Sequence, residues 1–192
     1  EIGVRLVGSE MCIRDSCMVN AQLIAMEFHG MLPVHDRPEA TEGYEGFSHL
    51  CAMQGEVELA TLEYIIRDHD RASFEARKAL FESAAAFLNA KYGAGTVEVA
   101  LRDSYYNMRE KIEPHMAIVE AAQQAMRDAG VTPRVVPIRG GTDGARLSYE
   151  GLPCPNLFTG GENYHGRFEY VPVEDMEAAV RTLKCILRNA AK

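Results

Sequence analysis

Residues 57–67, with the sequence VELATLEYIIR, decide the fold of the first half of the chain. Val57 and Leu59 lie on either side of Glu58, and the run continues through LEYIIR to Arg67. A period of two residues places alternate side chains on opposite faces of an extended strand. The pattern therefore predicts a β-strand with one buried face, which needs neighbouring elements to cover it.

The segments around this strand predict a first lobe of helices and strands. Residues 17–30 and 70–93 each indicate a helix that a glycine ends, residues 48–53 a hairpin partner and residues 97–101 another strand. The apolar stripes of the two helices are Ala21, Ile24, Ala25 and Phe28 in the first, and Phe74, Phe81, Ala84, Ala85 and Leu88 in the second. The order helix, strand, strand, helix, strand predicts a split βαβ (ferredoxin-like) sandwich that lacks its first strand.

The second half of the chain predicts alternating strands and helices. A helix begins at Pro114, and the short apolar runs 134–138 and 154–158 indicate strands. Thr142 begins a short helix between the two strands, and Pro172 begins a last helix. The alternation predicts an α/β lobe in which helices cover a parallel sheet.

Charge and composition exclude several classes of function. The chain has 192 residues, with 20 Lys and Arg against 28 Asp and Glu, so its net charge of −8 opposes binding to nucleic acid. No apolar run reaches the roughly 18 residues that span a membrane, so no membrane partner is expected. The five cysteines are odd in number and form no Cys-x-x-Cys pair, which favours a reducing cytoplasm over a disulfide framework.

Two glycine-rich turns are candidate ligand sites. Residues 139–144 (RGGTDG) could bring backbone N–H groups to an anion, although their spacing is neither the dinucleotide fingerprint nor the P-loop. Residues 159–166 (TGGENYHG) follow a predicted strand end, where ligands gather in open α/β sheets, and His165 could be a metal ligand or a base. The alternative for residues 139–144 is a tight turn without a ligand. The alternative for His165 is a loop histidine that is hydrogen-bonded to a carbonyl group. One histidine cannot hold zinc alone.

Two further candidates lie in the first lobe and at its end. Arg67 ends the apolar strand, where a guanidinium could bind a substrate carboxylate in a bidentate pair. The alternative for Arg67 is a surface ion pair with Asp68 or Asp70. Residues 103–110 (DSYYNMRE), which include Asn107, lie where the first lobe meets the second, a common place for ligands. Hinge packing by the two tyrosines is the alternative there.

Seven runs of sequence, taken together and in order, resemble the peptidase T family of tripeptide aminopeptidases. This family is part of the two-zinc aminopeptidase and carboxypeptidase superfamily. The runs are residues 41–47 (TEGYEGF), 64–68 (YIIRD), 103–110 (DSYYNMRE), 122–128 (AQQAMRD), 137–144 (PIRGGTDG), 151–161 (GLPCPNLFTGG) and 163–166 (NYHG). The resemblance extends from about Met18 to the C-terminus. It implies a lid and dimerisation domain of the split βαβ type, inserted into a zinc-binding α/β domain.

The resemblance also implies roles for individual residues. It aligns His165 with the C-terminal histidine ligand of one zinc ion. It aligns Arg67 with the lid arginine expected to hold the C-terminal carboxylate of the substrate. Asn107 and Gly161 match positions that the family places near the substrate.

The departures from the family divide the chain into three parts. Before its first lid helix the family has HPGTAKG, whereas this chain has SEMCIRDS at residues 9–16. Residues 1–16 are therefore predicted to be foreign or artefactual sequence. Residues 17–112 are predicted to be a lid domain without its first strand, and residues 113–192 the C-terminal part of the catalytic domain.

The resemblance predicts a cytoplasmic, zinc-dependent tripeptide aminopeptidase that releases the N-terminal residue of tripeptides and forms a homodimer through its lid. The family's other metal ligands and its general base lie in an N-terminal half with no counterpart here, so no catalytic residue is expected in this chain. We therefore expect the isolated chain to be inactive. Two alternatives are a dipeptidase or amidase of the same superfamily and a non-catalytic dimerisation module.

Overall fold

A computed structural model of the protein describes residues 1–8, 18–104 and 106–191. The chain forms two compact units, Glu1–Tyr106 and Asn107–Lys192. The boundary lies within the segment 103–110, where the sequence predicts the passage from one lobe to the next.

The first unit is built on a four-stranded antiparallel sheet. Its strands are β1 (Ile2–Val7), β2 (Phe47–Gly55), β3 (Leu59–Arg67) and β4 (Val97–Leu101), in the spatial order β2-β3-β1-β4. The predicted hairpin is confirmed, because β2 and β3 pair antiparallel. The edges of this sheet are therefore β2 and β4.

Two helices cover one face of the sheet, as their sequence periodicity predicts. They are α1 (Ala21–Met31), which the side chain of Asn20 caps by accepting a hydrogen bond from Gln22 N at 2.9 Å, and α2 (Arg71–Tyr92). Asp70 caps α2 by accepting a hydrogen bond from Ser73 N at 2.7 Å, as the sequence predicts. The buried helix residues are Ala21, Ile24, Ala25, Phe28, Phe81, Ala84, Ala85 and Leu88.

The prediction that this unit lacks its first strand is wrong. Ile2–Val7 lies at the centre of the sheet, where Val4 is opposite Leu62 of β3 and Val99 of β4. The physical reason is the alternation in IGVRLV, which places three aliphatic side chains on the face that the helices cover. The first unit therefore begins at Glu1 and not at residue 17, whereas residues 9–16 lie outside the described part of the chain.

The second unit is helical in the part that the structure describes. It contains α3 (Arg109–Ile112), α4 (Met116–Asp128), α5 (Asp143–Tyr149) and α6 (Val173–Ala190). Helices α4 and α6 pack together, and near their ends Asn189 Nδ2 donates a hydrogen bond to Asp128 Oδ2 at 3.0 Å. The predicted helices of this lobe are therefore confirmed.

The predicted parallel sheet of the second lobe is not formed by residues 107–191. Residues 134–138 and 154–158 are assigned to no strand, and Val135 is 72% exposed. A short apolar run becomes a strand only when a second strand accepts its backbone hydrogen bonds. Within residues 107–191 the one strand-like pairing is the antiparallel bridge between Glu162 and Tyr170.

Helix α6 also presents an apolar stripe to solvent. Within α6, Thr182 is the buried residue, whereas several apolar side chains of the helix are exposed, with Leu187 at 70%. The exposed stripe consists of Met176, Val180, Leu183 and Leu187. Contiguous apolar surface of this kind marks an interaction site.

No helix within the described ranges is long and apolar enough to cross a bilayer.

The central position of β1 can be tested with Leu6→Ala. Leu6 is 0% exposed, so its truncation should lower the free energy of unfolding by about 2–5 kcal/mol. The neighbouring Val7, 37% exposed, is the matched control, and Val7→Ala should cost much less. Urea unfolding followed by circular dichroism measures both changes. Equal costs for the two variants would mean that β1 does not lie in the core.

Candidate functional site

Residues 162–170, here named the His165 loop, form a closed loop in the second unit. Glu162 N donates a hydrogen bond to Tyr170 O at 2.9 Å, and Tyr170 N donates to Glu162 O at 3.2 Å. These two bonds form the antiparallel bridge at the base of the loop. The residues between them are therefore held in a closed turn.

The backbone of His165 has a conformation that few side chains adopt. His165 and Asn163 have φ of 63° and 56°, in the left-handed region that is uncommon for residues other than glycine. His165 N donates to Glu169 Oε2 at 2.9 Å, and Gly166 N donates to Asn163 O at 2.9 Å. These hydrogen bonds hold the turn and leave His165 exposed. Backbone conformations of this kind cluster at ligand-binding loops.

Gly161 lies against the same loop. A Cβ atom at Gly161 would come within 2.5 Å of the Tyr164 ring, so a larger residue would displace the tyrosine. The hydroxyls of Tyr164 and Thr159 are hydrogen-bonded at 2.8 Å. The structure thus brings two candidate residues, Gly161 and His165, into one segment.

The glycine-rich turn at 139–144 packs tightly against the segment 154–156. A Cβ atom at Gly144 would lie 2.5 Å from the carbonyl oxygen of Cys154. Ser148 Oγ donates to the Gly144 carbonyl at 2.7 Å and accepts from Cys154 N at 3.0 Å. These contacts account for the small residue at position 144 and favour the tight-turn interpretation over an anion site.

Asn107 is the first residue of the second unit. Its Oδ1 accepts a hydrogen bond from Arg109 N at 3.0 Å, and its carbonyl oxygen accepts one from Tyr149 Oη at 3.1 Å. These bonds fix the start of α3 and join it to α5. Asn107 therefore stabilises the junction between α3 and α5, independently of any contact with a ligand.

The last residues of the first unit pack against α2. Tyr106 Oη donates to Asp103 Oδ2 at 2.8 Å, and the Arg71 guanidinium lies 3.7 Å from the centre of the Tyr106 ring. Lys78 Nζ also donates to Asp103, at 3.1 Å. The hydrogen bond from Tyr106, followed by the interactions with Lys78, lowers the pKa of the Asp103 carboxyl. Tyr106 therefore packs against α2, whereas Tyr105, the other tyrosine of the hinge-packing interpretation, lies outside the described residues.

Arg67 is the last residue of β3, half-buried and opposite Phe47 of β2. The sequence suggests Asp68 or Asp70 as its ion partner. In the structure Asp68 accepts a hydrogen bond from Arg77 Nε at 3.0 Å, and Asp70 caps α2. Sequence reasoning missed Arg77, because its position nine residues after Asp68 gives no pairing signal. Arg67 belongs to the first unit, and Asn107, Gly161 and His165 to the second.

A polar cleft of about 430 Å³ lies beside Asp68 and Arg77 in the first unit. Asp36, Tyr44 and Gly46 are also part of its lining. Arg77 pairs with two carboxylates of the lining, since its Nη1 lies 2.5 Å from Asp36 Oδ2 and its Nε lies 3.0 Å from Asp68 Oδ2.

The described residues do not form a metal centre on their own. Within residues 1–8, 18–104 and 106–191 no group of three or more His, Cys, Asp and Glu side chains could hold a metal ion. A zinc site takes about three protein ligands and an open position. His165 alone does not meet that requirement.

A half-buried, hydrogen-bonded histidine, His29, was also not predicted from the sequence. His29 Nδ1 lies 3.0 Å from Tyr64 Oη, and His29 Nε2 lies 3.1 Å from Arg37 Nη2. Because arginine only donates, Nε2 must accept, and the proton of the neutral ring lies on Nδ1. Burial, and then the charge of Arg37, lowers the pKa of His29, while burial raises the pKa of Tyr64.

Comparison with sequence families and relatives gives consistent matches. The model of peptidase family M20/M25/M40 matches residues 3–189. Peptidase T of Shouchella clausii is 59% identical over 175 residues, which are 91% of this chain and 43% of that protein. Peptidase T of Clostridium perfringens strain 13 is 57% identical over the same shares. The chain thus spans less than half the length of the curated relatives it matches.

Solved structures with the same fold are also only partly covered. A tripeptidase from Staphylococcus aureus has a TM-score of 0.77 at 21% identity, over 99% of this chain and 51% of that chain. Aminopeptidase PepT from Bacillus cereus has a TM-score of 0.75 at 21% identity, over 100% and 51%. An amidase of the hydantoinase/carbamoylase family from Burkholderia vietnamiensis has a TM-score of 0.73 at 17% identity, over 100% and 47%. At these identities the likeness extends to the fold alone.

The lowered pKa of His29 predicts an acid-dependent stability. The pKa of His29 in the folded chain lies below its unfolded value of about 6.5. Neutral His29 therefore contributes its full share to the free energy of unfolding above pH 6.5, and this contribution is lost as the pH falls through the folded pKa. Protonation would place a hydrogen on Nε2 facing Arg37. The urea midpoint should therefore fall between pH 7 and pH 5, and less in His29→Asn. His35→Asn, at an exposed histidine, is the control and should behave as the unsubstituted chain. An equal fall in all three proteins would contradict this role of His29.

Proposed function

Because the chain belongs to peptidase family M20/M25/M40, we propose that it is part of a zinc-dependent tripeptide aminopeptidase, which releases the N-terminal residue of tripeptides. The observation that carries the proposal is the identity of 59% over 91% of the chain to a relative named peptidase T. Free thiols at Cys51, Cys154 and Cys185 are consistent with a reducing compartment, and we place the enzyme in the cytoplasm.

We assign the two units to two domains of such an enzyme. The first unit is the lid and dimerisation domain of the split βαβ type, and the second is the C-terminal part of the catalytic α/β domain. The exposed apolar segment 134–138 and the exposed stripe of α6 support this assignment, because both need a covering layer that residues 107–191 do not provide. The homodimer would form through the lid, where the edge strands β2 and β4 could join a second copy.

His165 is the proposed metal ligand of this chain. His165 is exposed in a hydrogen-bonded loop, which suits an imidazole that binds a metal ion together with ligands from another segment. Since the described residues do not complete a zinc site, the remaining donors and the general base would come from a part of the enzyme that this chain does not span. No catalytic residue is assigned within the chain, and the isolated chain should be inactive.

Arg67 is the proposed specificity residue. A guanidinium binds a carboxylate through two parallel hydrogen bonds, which fix both position and orientation. Arg67 would grip the C-terminal carboxylate of the peptide, so that the distance from Arg67 to the scissile bond selects tripeptides. Asn107 and Gly161 would lie near the same substrate.

A related amidase is the second candidate function. It is favoured by the fold likeness to the Burkholderia vietnamiensis amidase, with a TM-score of 0.73. A non-catalytic dimerisation module is the alternative from another class. Substrates and metal content separate the three candidates.

The isolated chain should not hydrolyse trialanine with added zinc. A hybrid enzyme, in which the matching 175 residues of this chain replace their counterpart in the Shouchella clausii peptidase T, should hydrolyse trialanine and lose activity with a chelator. Clear zinc-dependent turnover by the isolated chain would reveal ligands that the described residues do not show. Cleavage of N-carbamoyl amino acids, but not tripeptides, would favour the amidase. An inactive hybrid with correct folding would contradict the enzyme assignment.

Substitution of His165 should remove metal from the hybrid enzyme. We expect His165→Ala to lower kcat/KM by about 100-fold or more and to lower the zinc content by one ion per active site. His115→Ala, at an exposed histidine of the second unit, should leave both unchanged. Atomic absorption and tripeptide kinetics measure the two effects. Full zinc content in folded His165→Ala would rule out the ligand assignment.

A further inference from the structure

The carboxylate that follows Arg67 is nearly enclosed by protein. The Asp68 side chain is only 5% exposed. Its Oδ2 accepts a hydrogen bond from Arg77 Nε at 3.0 Å, and its Oδ1 accepts one from Asp70 N at 2.9 Å. The residue after Arg67 is therefore fixed to the start and to the second turn of α2.

The residue before β2, Gly46, packs directly against the Asp68 carboxylate. A Cβ atom at Gly46 would overlap the Asp68 carboxyl group, so only glycine lets the backbone approach this closely. The next residue, Phe47, pairs with Arg67 in the register of β2 and β3. The Asp68 carboxylate thus lies next to the last residue pair of the hairpin, Phe47 and Arg67.

Arg77 connects this rung to a third segment. Its Nη1 lies 2.5 Å from Asp36 Oδ2, in the turn Val34–Asp36, and its side chain is only 16% exposed. One guanidinium therefore joins α2, the end of β3 and the turn after α1. A buried ion pair contributes little net stability compared with apolar residues, so its value lies in the geometry that it enforces.

We propose that Asp68 and Arg77 are positioning residues that hold Arg67 in place for the C-terminal carboxylate of the peptide substrate. This inference rests on the proposed function of Arg67. Bidentate recognition needs the guanidinium plane within a fraction of an ångström of its productive position, and a misplacement of about 1 Å costs up to about 100-fold in rate. The last residue pair of a hairpin has this precision only when neighbouring contacts, here those of Asp68 and Arg77, restrict its movement.

The first test measures the anchor itself in the chain as it exists. Asp68→Asn keeps the side-chain shape and removes the charge, and Arg77→Lys keeps the charge and removes the fork. In both variants the amides of residues 46–48 and 66–70 should exchange hydrogen at least about tenfold faster, while residues 61–63 in the middle of β3 remain unchanged. Glu98→Gln, which breaks an exposed ion pair with Arg5 in the same unit, is the control and should change none of these amides. Unchanged exchange at residues 46–48 and 66–70 overturns the inference.

The second test measures the consequence for specificity in the hybrid enzyme, with trialanine and trialanine amide as substrates. Asp68→Asn and Arg77→Lys should raise KM for trialanine about tenfold with kcat within about twofold, and leave KM for the amide unchanged. A merely structural role would change both substrates alike, and that result overturns the inference.

Arg67→Met separates the inference from the function on which it rests. This variant should abolish the preference for the free carboxylate over the amide. If it does not, the proposed role of Arg67 fails. If it does, while Asp68→Asn and Arg77→Lys retain the full preference, the positioning inference alone fails.

Discussion

Contact among three aromatic rings holds the first unit together, and the position of its candidate site depends on it. Phe81 of α2 lies 5.0 Å from Tyr64 of β3 and 5.9 Å from Phe28 of α1, measured between ring centres. All three side chains are fully buried, so both helices and the sheet are fixed at this point. Tyr64 precedes Arg67 by only three residues. The aromatic core therefore fixes β3 three residues before Arg67, and the pair Asp68–Arg77 holds the residue that follows Arg67.

The sequence predicts this unit well where the signal is local. Asp70 as a cap and Phe28 and Phe81 as core residues follow from helix periodicity, and the structure confirms them. The strand Ile2–Val7 was not predicted, although Ile2, Val4 and Leu6 alternate, because residues 1–16 were interpreted as foreign sequence, whereas the family model matches from residue 3. A departure from a family motif does not show that a segment cannot pair with neighbouring strands, since pairing needs a suitable pattern and available strand edges.

The second unit shows what local patterns cannot predict. The runs 134–138 and 154–158 carry the composition of strands, yet strand formation depends on partners distant in sequence, and residues 107–191 do not supply them. The site residues remain predictions. Glycine-rich sequence and family resemblance point to His165 and Gly161, and in the structure Gly161 lies against Tyr164, the residue before His165. The pair between Asp68 and Arg77 was not predicted, because an arginine nine residues away could pair with any of several nearby carboxylates.

The proposed enzyme would combine the first unit as a lid, Arg67 as the residue for the substrate carboxylate and His165 as one of several metal donors. We propose above all that His165 binds zinc in the complete enzyme. A crystal structure of the hybrid enzyme, with anomalous scattering recorded at the zinc edge, tests that claim most directly. We expect a zinc peak about 2.0–2.1 Å from an imidazole nitrogen of His165. Zinc peaks whose ligands do not include His165 would contradict it.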